Sequence, residues 1–232
     1  MGTLNGKVAL VTGASAPKGI GRAIAQRLAK EGADVVITDI NGTFKQQDIE
    51  VTRADLLESL VQDIVSQGGS AIALTLDVTS ARDIAAMMEH VLTKFGRLDI
   101  LVNNAGSLSG SDNFLSTSPA QWTSSFEVNL LGPMMLSQAV IPEMRKLGGG
   151  RIINIGSTGS LGAEPGFGAY TAMKHGLVGL TKTLAAEFGP DGILCNTVCP
   201  GFIATDMHEA ANTRLSQKQG MSVADIKQQR YA

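Results

Sequence analysis

Thr12-Gly13-Ala14-Ser15-Ala16-Pro17-Lys18-Gly19-Ile20-Gly21 is the stretch on which the reading of this chain turns. The apolar run Val8–Val11 precedes it, and the helical pattern Arg22-Ala23-Ile24-Ala25 follows it. Glycines in a strand-to-helix turn permit a tight bend and leave backbone bare, so a pyrophosphate can approach the amides at the helix N-terminus. Alone, such a turn is a weak signal. Its context strengthens it, because a second apolar run, Val35–Thr38, ends on Asp39. A carboxylate there accepts hydrogen bonds from the adenosine ribose hydroxyls and repels a 2′-phosphate, which favours NAD over NADP. Lys18, directly before Gly19, argues the other way by Coulomb attraction and keeps NADP open.

Outward from this turn, runs of strand length recur at Ala71–Leu76, Ile100–Val102, Ile152–Ile155 and Leu194–Val198, alternating with amphipathic stretches of helical length. That alternation predicts an α/β fold with a doubly wound parallel sheet and helices on both faces. Helix boundaries agree: Ser80 with Asp83 and Ser118 with Gln121 are capping starts, while Gly32, Gly96 and Gly189-Pro190 are stops. No repeat or linker divides the chain, so residues 1–232 read as one dinucleotide-binding and catalytic domain. The polar stretch Ile40–Val51 reads as a surface loop near the adenine end, with a helix starting near Thr52.

The chain has 232 residues, 44% hydrophobic and 17% charged, enough for a sizeable core. A net charge of -2 provides no broad basic field for nucleic acid or an acidic membrane surface. With no leader pattern and no apolar run of spanning length, the reading is cytoplasmic. Cys195 and Cys199 read as buried free thiols, because four strand residues at ~3.3 Å each separate their Cα atoms by about 13 Å, beyond disulfide reach.

Tyr170 and Lys174 stand four apart at the start of a helix running to about Phe188, so their side chains share a face. An ammonium beside a phenol favours the phenolate and lowers its pKa. Such a phenol exchanges a proton with a carbonyl or alcohol oxygen while a cofactor moves the hydride. Ser157 follows the strand Ile152–Ile155, at the carboxyl edge where open α/β sheets bind ligands, and its hydroxyl can hold the substrate oxygen beside Tyr170. A lone Tyr-x-x-x-Lys is about as often a half-buried helix pair. Together with the glycine turn and Asp39, the catalytic reading prevails.

Thr12-Gly13 with Gly19-Ile20-Gly21, Asn103-Asn104-Ala105-Gly106, Ser157, Tyr170-x-x-x-Lys174 and Pro200-Gly201 together resemble the short-chain dehydrogenase/reductase family, from about Lys7 to Met207. The resemblance implies strand order 3-2-1-4-5-6 and a reversible alcohol/carbonyl conversion in a homotetramer or homodimer. It implies that Gly13, Ser15, Lys18, Gly19, Ile20 and Gly21 line the phosphates and that Asp77 and Val78 flank the adenine. It also implies that Asn104, Ala105 and Gly106 line the cofactor, as do Tyr170, Lys174, Pro200 and Gly201. Asn129 would hold a water relaying protons from Lys174, and Ile203 and Thr205 would contact the nicotinamide carboxamide.

The sequence departs from the family pattern in three places. Five residues separate Gly13 from Gly19, more than usual, and the segment after Asp39 is also longer. Family members continue past a mobile substrate-binding segment, here Met207–Ala232, into another helix and a seventh strand, so the sixth strand is expected to be a sheet edge. A catalytically silent dinucleotide-binding protein therefore stays open beside the enzyme. The polarity of Asn212-Thr213, Gln217-Lys218-Gln219 and Gln228-Gln229 points weakly to a small oxygenated substrate. His90, His175 and His208 lack metal-ligand spacing, and no metal is expected. Trp122, Met134 and Met135 read as packing residues, and Ser160 as a turn serine.

Overall fold

The computed structural model describes residues 2–46, 49–163 and 165–231. From the N-terminus run β1 (Val8–Thr12), α1 (Ile20–Lys30), β2 (Asp34–Asp39), β3 (Thr43–Gln46), β4 (Ile49–Thr52) and α2 (Arg53–Ser66). Then come β5 (Ser70–Thr75), α3 (Ala81–Phe95), β6 (Ile100–Asn103), α4 (Pro119–Phe126), a π-helical turn (Glu127–Leu131) and α5 (Gly132–Lys146). The chain continues with β7 (Gly150–Ile155), α6 (Gly168–Phe188), β8 (Ile193–Val198), α7 (Asp206–Gln219) and α8 (Val223–Tyr231).

Six of the strands form one parallel sheet in the order β5-β2-β1-β6-β7-β8. Counted without β3 and β4, this is the expected order 3-2-1-4-5-6. Side chains alternate across a strand, and β1 shows it: Val8 and Leu10 join α3 and α5 on one face, through Met87, Val91, Leu136 and Val140. Ala9 and Val11 face the other way, against Ala25 and Ala29 of α1 and Leu57, Leu60 and Ile64 of α2. Every residue of β1 is buried, as a strand covered on both faces must be. At the outer strand β8, Leu194 and Val198 are about half exposed.

The helix boundaries follow from local chemistry. Ser80 and Ser118 accept from the amides of Asp83 and Gln121, and Gln121 returns the bond to complete a capping box. Gly96 ends α3 at φ 68°, a left-handed turn that favours glycine. Beneath the carboxyl edge, Asn103 Nδ2 donates to Asn154 Oδ1 at 2.8 Å, and Asn154 Nδ2 donates to Thr181 Oγ1 at 2.8 Å. Thr197 Oγ1 adds a bond to Thr181 at 2.7 Å, so β6, β7, β8 and α6 are locked together under the site.

Two sequence expectations change. The stretch expected as a loop folds as the antiparallel hairpin β3–β4, with Thr43 opposite Thr52, because its polarity masks the β-formers Thr43, Phe44, Ile49, Val51 and Thr52. Gln47 and Asp48 lie outside the described residues, while Thr52 caps α2 close to where a helix was expected. Cys195 is buried in β8, but Cys199 lies just past the strand and is only partly buried. The segment after Thr205 forms α7 and α8, with Ala232 outside the described residues. Among the described residues no helix is long and apolar enough to cross a membrane.

Candidate active site

The glycine turn is shaped for close backbone approach. Gly13 sits at φ 67°, and a Cβ there would come within 2.8 Å of Ala105 Cα. Asn104 staples the two loops: its Nδ2 donates to the carbonyls of Thr12 and Gly13 at 2.8 and 2.9 Å, while Thr12 Oγ1 accepts from the amides of Asn104 and Ala105. Gly19 begins α1 with no side-chain cap and no acid in the first turn. The orphan amides of that end suit a pyrophosphate, so the turn fits a dinucleotide. A Cβ on Gly21 would lie 2.5 Å from Asn104 Nδ2 and 2.7 Å from Gly13 O. Gly21→Ala is therefore expected to weaken NADH binding by about tenfold or more, ~1.4 kcal/mol, in a nicotinamide fluorescence titration. An unchanged Kd would show that the turn does not carry the phosphates.

At the end of β2 the Asp39 carboxylate is already engaged. Its Oδ2 accepts from Ser15 N at 3.0 Å and Ser15 Oγ at 2.7 Å, and its Oδ1 from Ile40 N at 2.9 Å and Arg53 Nη1 at 3.3 Å. Ser15, expected beside the phosphates, is fully buried and braces Asp39 instead. Lys18, expected near the ribose, turns to α7: its amide donates to Asp206 Oδ2 at 2.8 Å and its Nζ pairs with Glu209 at 3.4 Å. The longer turn through Ala16-Pro17 puts it there. Arg53, and not Lys18, is the cation beside Asp39, a placement that depends on the β3–β4 hairpin and has no local signal in the sequence.

A cleft of about 960 Å³ runs along the carboxyl edge of the sheet, within the range of ligand sites. Gly13, Gly19, Ile20 and Asp39 line one end, and Asp77, Val78, Asn104, Ala105 and Gly106 its middle. Tyr170, Lys174, Ser157, Pro200, Gly201, Ile203 and Thr205 line the other. Asp77 Oδ1 accepts from Thr79 N and Oγ1, and Thr205 caps α7 by accepting from His208 N. Leu108, Phe167, Phe202 and Met207 add apolar surface to the cleft, with the Phe167 ring edge-on to Tyr170; of these, only Met207 belongs to the segment expected to bind substrate. From α7, Met207, His208, Ala210 and Ala211 face the cleft, while Gln217 and Gln219 are exposed, so the segment's polarity says little about substrate.

Ser157, Tyr170 and Lys174 meet in this cleft. Ser157 lies two residues past β7 and caps a short 3-10 turn, with Oγ accepting from Gly159 N at 3.2 Å; Ser160 Oγ accepts from Ser157 N, the turn role expected of it. Tyr170 and Lys174 project from the first turns of α6. Lys174 is 4% exposed; its Nζ donates to Ile155 O at 2.7 Å and lies 5.6 Å from the centroid of the Tyr170 ring. Burial pushes this ammonium down to about 8. The phenol departs from the sequence expectation: burial holds Tyr170 above its ordinary value, with the Ser157 hydroxyl pulling the other way. Asn129 is fully buried in the π turn; its Oδ1 accepts from Ser107 N, and its Nδ2 donates to Ser107 O and Ser125 O. That side chain therefore holds the 107 loop. A water relay through Asn129 would have to use other atoms of the turn.

A doubly wound sheet with a glycine turn after its first strand and a Ser, Tyr and Lys group at its carboxyl edge defines a nicotinamide-dinucleotide oxidoreductase. The chain belongs to the short-chain dehydrogenase family, whose sequence pattern matches residues 7–216. It is 40% identical to a 3-oxoacyl-[acyl-carrier-protein] reductase of Synechocystis over 91% of this chain and 80% of the relative. The solved actinorhodin polyketide ketoreductase with NADPH superposes with a TM-score of 0.85 and 34% identity over 97% of this chain and 81% of that one. NAD+-bound xylitol dehydrogenase gives 0.81 and 29%, over 90% and 76%. The protein is accordingly an NAD(P)-dependent dehydrogenase/reductase.

Proposed function

We propose that this chain interconverts a secondary alcohol and its ketone with NAD(H), Tyr170 acting as general acid and base. The observation that carries the proposal is the convergence of Ser157, Tyr170 and Lys174 on one wall of a cleft whose far end is the glycine turn. When bound, the dinucleotide supplies or accepts the hydride. Ser157 donates to the substrate oxygen and orients it. Tyr170, a phenol held above its ordinary pKa, is protonated at neutral pH and gives its proton to that oxygen during reduction. Lys174, with a pKa of about 8, is largely charged at neutral pH and favours the phenolate left behind. In the oxidative direction the same groups work in reverse.

Asp39 at the ribose end supports NAD(H), through hydrogen bonds to the ribose hydroxyls. The apolar wall of Leu108, Phe167, Phe202 and Met207 supports a substrate with an alkyl or aryl substituent beside the carbonyl. Similarity to a 3-oxoacyl reductase and a polyketide ketoreductase supports carbonyl reduction. The test is steady-state turnover on a panel of alkyl, aryl and polyhydroxy ketones, with NADH and NADPH in parallel. Turnover with NADH, strongest on alkyl or aryl ketones, is the expected result. No turnover on any of them, with NADH still bound, would leave a silent dinucleotide-binding protein and sink the proposal.

A further inference from the structure

We infer that α7 is clasped to the glycine turn across the cleft, by Asp206 and Glu209 gripping Lys18, and that this clasp sets how fast a bound dinucleotide leaves. The inference rests on the proposed dinucleotide site and adds a control on its release.

Two walls of the cleft meet at the clasp. One is the glycine turn, with Gly13 and Gly19, and the other is the start of α7, with Asp206, Met207, Ala210 and Ala211. Lys18 N donates to Asp206 Oδ2 at 2.8 Å, and Lys18 Nζ pairs with Glu209 at 3.4 Å. The lengthened turn through Ala16-Pro17 carries Lys18 out to the helix. A dinucleotide laid from Asp39 to Tyr170 follows the glycine turn and so passes beside this tie. With the tie made, the cleft still measures about 960 Å³, which is room for such a ligand. The closed arrangement therefore suits a bound cofactor, and release calls for the tie to open.

The tie matters because α7 stands apart from the main core. Among the described residues, neither hydrophobic cluster around the sheet contains a residue of α7 or α8. Instead α7 packs chiefly against α8, where Ile226 is buried, and Ser216 Oγ donates to Met221 O at 2.6 Å in the link between the two helices. Elements outside the core open at low cost, and lids are drawn from them. In a hydride-transfer enzyme the spent cofactor leaves in every cycle, so the opening of a lid can limit turnover. The two grips differ in strength. The bond from Lys18 N to the Asp206 carboxylate is charge-assisted, whereas the Lys18–Glu209 side chains are 54% and 42% exposed, and ion pairs so open to water hold little. Asp206 is the principal grip.

The test is stopped-flow displacement of NADH, followed by nicotinamide fluorescence, beside equilibrium titration. Asp206→Ala is expected to raise the NADH dissociation rate by about tenfold or more, the usual worth of a hydrogen bond to a charged group, with the association rate changed far less. Asp206→Asn, which keeps an oxygen acceptor and loses the charge, is expected to fall between Asp206→Ala and wild type. Glu209→Gln is expected to change the rate by less than about fivefold, and the melting profiles of all three variants report folding. A dissociation rate unchanged in Asp206→Ala overturns the inference. So does a slower one, which would mean that the carboxylate acts by repelling the phosphates. Wild-type protein that binds no NADH overturns the dinucleotide site itself, so the two failures are distinguishable.

Discussion

Tyr170→Phe is expected to lower turnover by about 10²- to 10⁴-fold while leaving NADH affinity nearly unchanged. The substitution deletes one oxygen from a partly buried side chain on α6, and the ring keeps its edge contact with Phe167 at 6.4 Å between centroids. What disappears is the transferable proton. A phenylalanine also fills the same volume, so the cleft wall should not collapse. Loss of kcat with intact NADH binding is the expected signature in steady-state and fluorescence assays. Turnover near the wild-type level would assign the proton to another group.

Lys174→Met is expected to abolish most turnover and yet stabilise the protein at neutral pH. The ammonium is 4% exposed, with a hydrogen bond to Ile155 O. Burial lowers its pKa from 10.5 to about 8, so folding favours the neutral amine. The penalty for the charge is complete below about pH 8, shrinks as the pH rises toward the unfolded value of 10.5, and is absent above it. The difference between 10.5 and about 8 corresponds to roughly 3 kcal/mol at ~1.4 kcal/mol per unit. Losing the bond to Ile155 O offsets about 1 kcal/mol. A net gain of about 2 kcal/mol raises Tm by roughly 4–8 °C in a chain of this size. Thermal melts at pH 7 and pH 10 check both sign and slope: the gain should narrow at the higher pH. A variant less stable than wild type at pH 7 would mean that the fold compensates the buried ammonium by more than the bond to Ile155 O, contrary to the account.

Much of the architecture was legible because it rests on periodicity. Val8–Val11 and Val35–Thr38 read as strands of a parallel sheet, and each lies buried in that sheet with side chains feeding the clusters on both faces. Ser80 and Ser118 announced their helices through capping chemistry that is local by nature. Tyr170, Lys174 and Ser157 were legible because a helical spacing and a strand end fix where they point. Long-range relations were not. Lys18 looked like a ribose cation until α7 placed Asp206 and Glu209 against it. Arg53 carried no signal in its neighbourhood, since its role depends on a hairpin whose β-formers were hidden among Lys45, Gln46 and Glu50. The phenol pKa went astray for a similar reason, as the spacing of Tyr170 and Lys174 reveals their proximity but not how deeply the fold buries them.

The central claim is that this cleft delivers a hydride to a carbonyl carbon as Tyr170 delivers the proton. NADH deuterated at both C4 positions, incubated with an aryl ketone and wild-type or Tyr170→Phe protein, tests it through the mass of the alcohol formed. A product carrying one deuterium from the wild-type protein, and almost no product from the variant, is the expected result. Alcohol without deuterium, or labelled alcohol formed equally fast by the variant, would contradict the account.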